Sequence, residues 1–507
     1  MEAFRDICMF LYVTSYIKRN QCVQSLGDNK IKQIKNDTRR LVYSALVGLL
    51  QHHDIAVKLA ACRSLCFLVQ DCNFSENDFH DLLLTCCTSC FKLVEDVEEF
   101  DSKVQILNFI SVLIEHAAEK IIPFANQLTI FFQKIWEESC GESLLQIQLL
   151  AALRNFVCSL GSQSSICYNM LLPILRKGVD INSPDELNLL EDSVLLWETT
   201  LSNAPSLVNQ LLEIFPYLLS IMERSLDHLE VAINIIEDYI ISGGTEFLNR
   251  HASLLVKLLD YIIGNVNDKG LVSILPIIDI LIQLYPMEVP PLISGILQRL
   301  FVICFGRADN DNQTKIALRA ASGAILARLL IMNTNYLAQL SSEPSLNLAL
   351  QQEGLNTTQN ILLCLVDFWL DKIDSVTTMQ SKAYALALSI ILTLRLPEVI
   401  DKVDEILSAC TSIILGAEDQ NEETSLDSSS SISSCNENFE YDSVPSKVLR
   451  QKQIRTQDPI KRLSLENMLR ENLQACAALH GDASFNAVIN SIHPSALAQL
   501  KQALNMP

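Results

Sequence analysis

Glycine and proline each occur only 15 times in 507 residues, and no stretch rich in either divides the chain. Flexible linkers between ordinary domains are thereby excluded, yet 507 residues far exceed one core of ~100–200 residues. Positive charge is also scarce. Lys and Arg number 38 against 59 Asp and Glu, for a net charge of −21 and a pI near 4.8. That excess repels phosphate backbones and anionic membranes at long range, so nucleic acid is not expected as a ligand. It attracts basic proteins, and it also keeps a large protein soluble. The motifs of common chemistries are missing: no GxxxxGK[ST], GxGxxG or GxSxG, and the eight histidines never fall as HExxH. Neither an enzyme nor a cofactor is expected.

What the chain has instead is a recurring apolar stripe. In residues 55–69, IAVKLAACRSLCFLV, the side chains of Val57, Ala60, Ala61, Ser64, Leu65 and Leu68 fall on one helical face. Arg63 faces away and Lys58 sits at the edge. The three small residues suit close packing, toward the short end of ~8–10 Å between helix axes. The stripe returns at Ile106, Phe109, Ile110, Leu113 and Ala117, and at Leu145, Leu149, Ala152 and Phe156. It recurs at Leu190, Ser193, Val194, Trp197 and Leu201, and at Leu229, Ala232, Ile233, Ile236 and Ile240. Later copies fall in residues 274–284, at Ala317, Ala320, Ala321 and Ala324, and at Ala383, Leu386, Ala387, Ile390, Ile391 and Leu394.

The spacing of ~40–45 residues predicts paired helices of the HEAT or armadillo kind rather than shorter repeats. The fold class expected is all-α: an elongated, monomeric α-α superhelix with no sheet. Outer helices lie between the stripes, several with a proline near an end or bend: Pro123, Pro173, Pro216, Pro290 and Pro291. Residues 1–20 read as a helix, because Glu2 and Asp6 spoil the basic start of a secretory leader. Residues 18–40 read as an exposed basic connection, and 341–358 as a longer loop. Asn73, Ser75 and Asn77 are cap candidates for the helix after 55–69.

The sixteen cysteines are scattered along helical stripes, as at Cys62, Cys66 and Cys364, which fits a reducing compartment. Cys86, Cys87 and Cys90 form a CxxC read as core, since no second pair follows at zinc-site spacing. His52 and His53 read as turn residues, His116 as the end of a helix, and Trp136, Trp197 and Trp369 as packing anchors. The longest charge-free span, 155–175, contains Ser162, Gln163, Ser164 and Asn169 and would cross a bilayer poorly. A soluble intracellular chain without a membrane span is the expectation.

Composition changes sharply at residues 417–443, which hold eight carboxylates, a serine run and no Lys or Arg. Such a segment buries too little apolar surface to order itself. Three parts are expected: helical repeats over 1–416, a disordered acidic insertion over 417–446, and a basic connector with capping helices over 447–507. The insertion is either a solvated tether or a flexible anion for a basic or regulatory partner, and phosphorylated serines would add to its charge. Candidate partner-binding residues are Glu418, Asp419, Glu422, Glu423, Asp427, Glu437, Glu440 and Asp442, followed by Lys447, Arg450, Lys452 and Arg455.

Three strings carry a resemblance: LLEDSVLLWETTLSNAPSL from Leu189, IIEDYIISGGTEFL from Ile235, and TQDPIKRLSLENMLRENLQACAALHGDASFNAVINSIHPSALAQLKQAL from Thr456. With the acidic stretch and basic connector before Asp458 and Pro459, the chain resembles the importin-β (karyopherin) superfamily. The resemblance implies nuclear import of folded protein cargo, including ubiquitin-conjugating enzymes and a ribosomal protein, with release triggered by Ran-GTP. It also implies possible contact with FG nucleoporins and shuttling between cytoplasm and nucleus. Family members are roughly twice as long and hold the main Ran contact in N-terminal repeats, so a C-terminal half with weak or absent Ran binding is expected. A HEAT scaffold without a transport role, or an exportin, are the alternatives.

Overall fold

The computed structural model describes residues 28–70, 74–183, 186–306, 312–355, 360–423 and 446–504. Every regular element among them is helical, as the 3.6-residue stripes require. The chain forms two compact units, one of residues 1–221 with 440–447 and one of residues 222–439 with 448–507.

In the first unit, α1 (Asp28–Leu49), α2 (Ile55–Val69), α3 (Glu76–Asp96), α4 (Phe100–Ala117), α5 (Ala125–Glu138), α6 (Ser143–Leu160), α7 (Tyr168–Val179) and α8 (Glu186–Asn203) follow in order. The inner helices α2, α4, α6 and α8 pack in a row, each on the next. Their stripes are well buried: Ile106, Phe109, Ile110 and Leu113 in α4, and Leu149, Ala152 and Phe156 in α6, are all at 0 % exposure.

The length of the repeat can be read from its hydrogen bonds. Lys58 Nζ donates to Asp96 Oδ2 at 2.8 Å across 38 residues, and Arg63 Nε to Gln105 Oε1 at 2.7 Å across 42. Asn155 donates to the Ser111 carbonyl across 44, and Ser159 to that of Ile114 across 45. Equivalent points thus sit one helix pair apart.

Two inner helices end alike. Ala118 (φ 46°, ψ −128°) follows α4 and Gly161 (φ 50°, ψ −125°) follows α6, each turning the chain into a 3-10 helix. Glycine adopts this conformation without strain, whereas alanine does so at a cost. Gly161 also breaks the stretch Ser143–Val179, the one described segment long and apolar enough to cross a membrane, half of whose most apolar window is buried within the molecule.

The remaining helices are α9 (Asn209–Ile214), α10 (Pro216–Arg224), α11 (Leu229–Asn265), α12 (Asp268–Leu284), α13 (Val289–Leu292), α14 (Ser294–Phe305), α15 (Gln313–Met332), α16 (Thr334–Ser341), α17 (Pro344–Gln352), α18 (Ile361–Lys372), α19 (Thr378–Ile391), α20 (Val403–Glu423), α21 (Ser446–Gln457), α22 (Pro459–Arg462), α23 (Leu465–His480), α24 (Asp482–Ser491) and α25 (Pro494–Ala503). In the second unit α12, α15 and α19 form the inner row, and α19 packs on α23. Gly244 (φ 55°, ψ −145°) interrupts α11. Trp369 is fully buried and its indole N–H donates to the Gly323 carbonyl at 3.1 Å across 46 residues.

Several expectations need correction. Residues 28–40 belong to α1, because Lys, Gln and Arg are good helix formers and neither Gly nor Pro interrupts them. Residues 344–352 form α17, whose Pro344 starts the helix and whose Leu346 and Leu350 are buried. The supposed loop is therefore another packed helix. The acidic segment begins inside a helix: α20 runs to Glu423, since extending a formed helix through Ala417, Glu418, Gln420, Glu422 and Glu423 is easy. Residues 424–445, like 1–27 and Asn73, lie outside the described residues. Ser75 takes the N-cap position of α3, while Asn77 lies within that helix and accepts from Lys120.

Two stripes sit on a rotated face. In α2 the buried residues are Val57, Ala61, Cys62, Leu65 and Val69, with Ala60 exposed. In α15 Ala317 is exposed and Ala320, Ala321 and Ala324 are half-buried, whereas Leu318, Ser322, Ile325 and Leu329 are buried. The larger side chains gain more by burial, and alanine settles at the margin. Cys86, Cys87 and Cys90 are buried, and contact with Cys90, together with burial, pushes the Cys62 thiol well up. Trp197 is fully buried, but Trp136 is half-buried with Lys177 Nζ 5.7 Å from its ring centre.

Candidate partner-binding surface

The basic connector leads into a densely bonded polar site of the second unit. Asp458 precedes a proline, which pushes it out of the helical region and ends α21. It then serves as N-cap of α22, its carboxylate accepting from the Ile460 N–H at 3.0 Å. The same carboxylate meets Arg328, a charged residue inside the apolar run AILARLLIM of α15, only 6 % exposed. Arg328 Nη1 donates to Asp458 Oδ1 at 2.8 Å and Nη2 to Oδ2 at 3.1 Å, while Nε donates to Asp279 Oδ1 of α12 at 2.6 Å. One guanidinium thus joins two carboxylates, and the forked pair fixes direction as well as distance.

Burial and charge act on the three groups in different proportions. For Asp279, burial, helped by the neighbouring negative charge of Asp458, outweighs the charge and hydrogen bond of Arg328, and its carboxyl rises above the ordinary value. Burial also raises Asp458, but the hydrogen bond and charge of Arg328, with the Ile460 N–H, bring its carboxyl below the ordinary value.

Around this point the connector lies across successive inner helices. Arg450 donates to Ser242 of α11, Gln283 of α12 donates to the Ile454 carbonyl at 3.0 Å, and Lys382 of α19 to the Lys461 carbonyl at 2.9 Å. Residues 450, 454, 458 and 461 thereby rest on 242, 283, 328 and 382 in order. Their partners lie 208, 171, 130 and 79 residues back in sequence. Residues 446–462 form a strap over four helices that are otherwise linked only neighbour to neighbour.

Of the twelve candidate residues, the strap brings four together. Lys447 and Arg450 are half-buried, and Lys452 and Arg455 are exposed one turn apart. Glu418, Asp419, Glu422 and Glu423 lie on the last turns of α20, while Asp427, Glu437, Glu440 and Asp442 fall outside the described residues. Asp279, Arg328, Ser242 and Gln283 were not anticipated. Arg328 carried a signal, since an arginine amid leucines on a buried face needs a partner. Among the described residues no group of three or more His, Cys, Asp or Glu is placed to hold a metal. In the first unit a cleft of about 610 Å³ opens where α4 and α6 end, with Glu115, Glu119, Asn155 and Cys158 in its wall.

Stacked helix pairs with partners 38–49 residues apart define an α-solenoid of the HEAT-like kind. The solved structure of Lph2, a bidirectional nuclear transport receptor in S. cerevisiae, shares this fold with a TM-score of 0.78 at 20% identity, over 93% of this chain and 50% of that one. Residues 147–505 match the family model described as Importin-11-like, TPR repeats, and the chain belongs to that family. Importin-11 of Mus musculus is 26% identical over 491 residues, 96% of this chain and 49% of the mouse protein. The Homo sapiens protein is 25% identical over the same shares. The chain spans about half the length of the curated relatives it matches. Its contact spacing exceeds the ~34 residues of a tetratricopeptide unit, whatever the family's description suggests.

Proposed function

We propose that this chain is the C-terminal half of a nuclear transport receptor that holds basic protein cargo for Ran-dependent passage between cytoplasm and nucleus. The observation that carries the proposal is the Importin-11-like match across residues 147–505. A solenoid suits the task because each repeat contacts only its neighbours, so a long surface adapts to a folded partner without bond chemistry. Affinity comes from area and charge complementarity, and a net charge of −21 raises the local concentration of cationic partners. Steering of that kind fades as salt shortens the screening length from ~10 Å at ~0.1 M to ~3 Å at ~1 M.

The resemblance puts the main Ran contact in repeats preceding this half, so Ran-GTP binds it weakly or not at all. Titration of Ran-GTP and Ran-GDP, alone and with a basic cargo domain, tests both claims. Salt-sensitive cargo binding with weak Ran binding is the expected result. Tight, nucleotide-dependent Ran binding would refute the second claim, and the absence of salt-sensitive cargo binding would refute the first.

A further inference from the structure

The strap has a firm end and a loose one. Asp458 and Ile460 are buried, but of residues 447–457 none is fully buried. The 12-residue α21 is strongly polar, and Val448 is 47 % exposed. A helix of that length is marginal by itself and normally depends on a buried face, which this one lacks. Arg450 contacts Ser242 of the row beneath, and the Ile454 carbonyl accepts from Gln283.

The surface under it repeats. Asp238 and Ser242 stand one turn apart on α11, and Asp279 and Gln283 stand one turn apart on α12. Both pairs are in the same phase of consecutive repeats. Each inner helix thus sets a carboxylate beside a neutral hydrogen-bonding side chain, under a helix whose charged residues, Lys447, Arg450, Lys452 and Arg455, are all cations. The strap is chemically what such a groove selects.

We propose that the face bearing Ser242 and Gln283 is a docking groove for a basic helical segment of a partner protein. Residues 446–457 are its resident occupant and swing away about the Asp458 pin when the partner's helix replaces them. This goes beyond the function proposed above, which gives the charge of the cargo but no seat for it. It stands or falls on peptide binding, independently of any transport assay. A tethered occupant acts at an effective concentration of order mM, so a free helix of equal intrinsic affinity competes poorly until the tethered one is weakened.

The probe is a fluorescent peptide with the sequence of residues 446–457, titrated by anisotropy into the full chain and two variants. One variant is Arg450→Glu, and the other replaces 446–457 by a Gly/Ser segment of equal length. At least ~10-fold tighter peptide binding is expected in both variants than in the unaltered chain, lost when the peptide's own Arg and Lys become Glu. No gain in a strap-replaced chain that keeps its helical melt would overturn the proposal, as would equal binding of the charge-reversed peptide. Hydrogen exchange on the unaltered chain covers a variant that fails to fold. Amides of 446–457 are expected to exchange at least ~100-fold faster than those of α23, and equal protection would show a strap that does not leave.

Discussion

Replacing Arg328 by Leu tests the pin of the strap most directly. Leucine fills much of the same apolar space, so the loss is chiefly electrostatic. Asp458, itself 6 % exposed, and Asp279 are left facing each other without the guanidinium they now share at 2.6–3.1 Å. Removing one partner of a buried pair costs roughly 3–5 kcal/mol, a large share of the ~5–15 kcal/mol that holds a domain together. The sign of the pH dependence follows from the carboxyls. In the unaltered chain Asp458 lies below its ordinary value, so its contribution is present above the unfolded pKa and is lost as pH falls through the lower folded one. Without Arg328 both carboxyls rise above the unfolded ~3.9, and the folded state takes up protons more readily than the unfolded. The deficit of the variant is therefore expected to be largest near neutrality and to narrow as pH falls toward ~4. Because repeat arrays melt in parts, the assay is denaturant-dependent hydrogen exchange read in α12, α15 and α22. A loss under ~1 kcal/mol at pH 7, or a gap unchanged between pH 7 and 4, would refute the electrostatic account.

Gly323→Ala is expected to destabilise by ~1–3 kcal/mol, because its Cβ would stand 2.5 Å from Phe368 Cε1 and 2.7 Å from the Tyr384 hydroxyl. An unchanged melting temperature would contradict that packing. Ala118→Gly is expected to stabilise by ~0.5–1 kcal/mol, since the positive φ of 46° strains alanine by more than glycine gains in unfolded freedom. A lowered melting temperature would show the turn to be unstrained. Iodoacetamide at pH 8 should label the exposed Cys140 well before Cys87, Cys167 and Cys410, whose thiols burial pushes up to about 12. Mass mapping that finds equal labelling in the native chain would disprove the burial of these three.

The repeat was legible because it is written in local apolar spacing. Phe109, Leu113, Leu149 and Phe156 could only be core, and they are fully buried. Where alanines dominate, the periodicity names a face without fixing its angle, and so the stripes of α2 and α15 were read off-centre. In α15 the true inner face includes Gly323 and Arg328, two residues that a count of apolar positions discards. The basic connector was visible as charge, but its seat was not, because Ser242, Gln283, Arg328 and Lys382 lie 79 to 208 residues earlier. No local pattern encodes contacts at that range.

Those long-range contacts change the mechanics of the second unit. In an array bonded only to nearest neighbours, small rotations between repeats add freely. A strap joined to α11, α12, α15 and α19 ties those rotations together, and departure of 446–457 frees α11 and α12 at once while α15 and α19 stay tied. The energetic requirement on a partner is then set by how firmly the strap sits. To take the strap from 99% seated to 99% displaced, the partner must prefer the open state by ~10⁴-fold, about 5.5 kcal/mol. With no fully buried residue over 447–457, the seated state has little apolar area to lose, and most of its hold resides in polar contacts that a basic helix can reproduce. The firm contact, Arg328 with Asp458, lies beyond the exchanged segment and need not break. Binding in the groove and loosening of α11 and α12 are thus one transition, driven by the difference between the partner's helix and the chain's own.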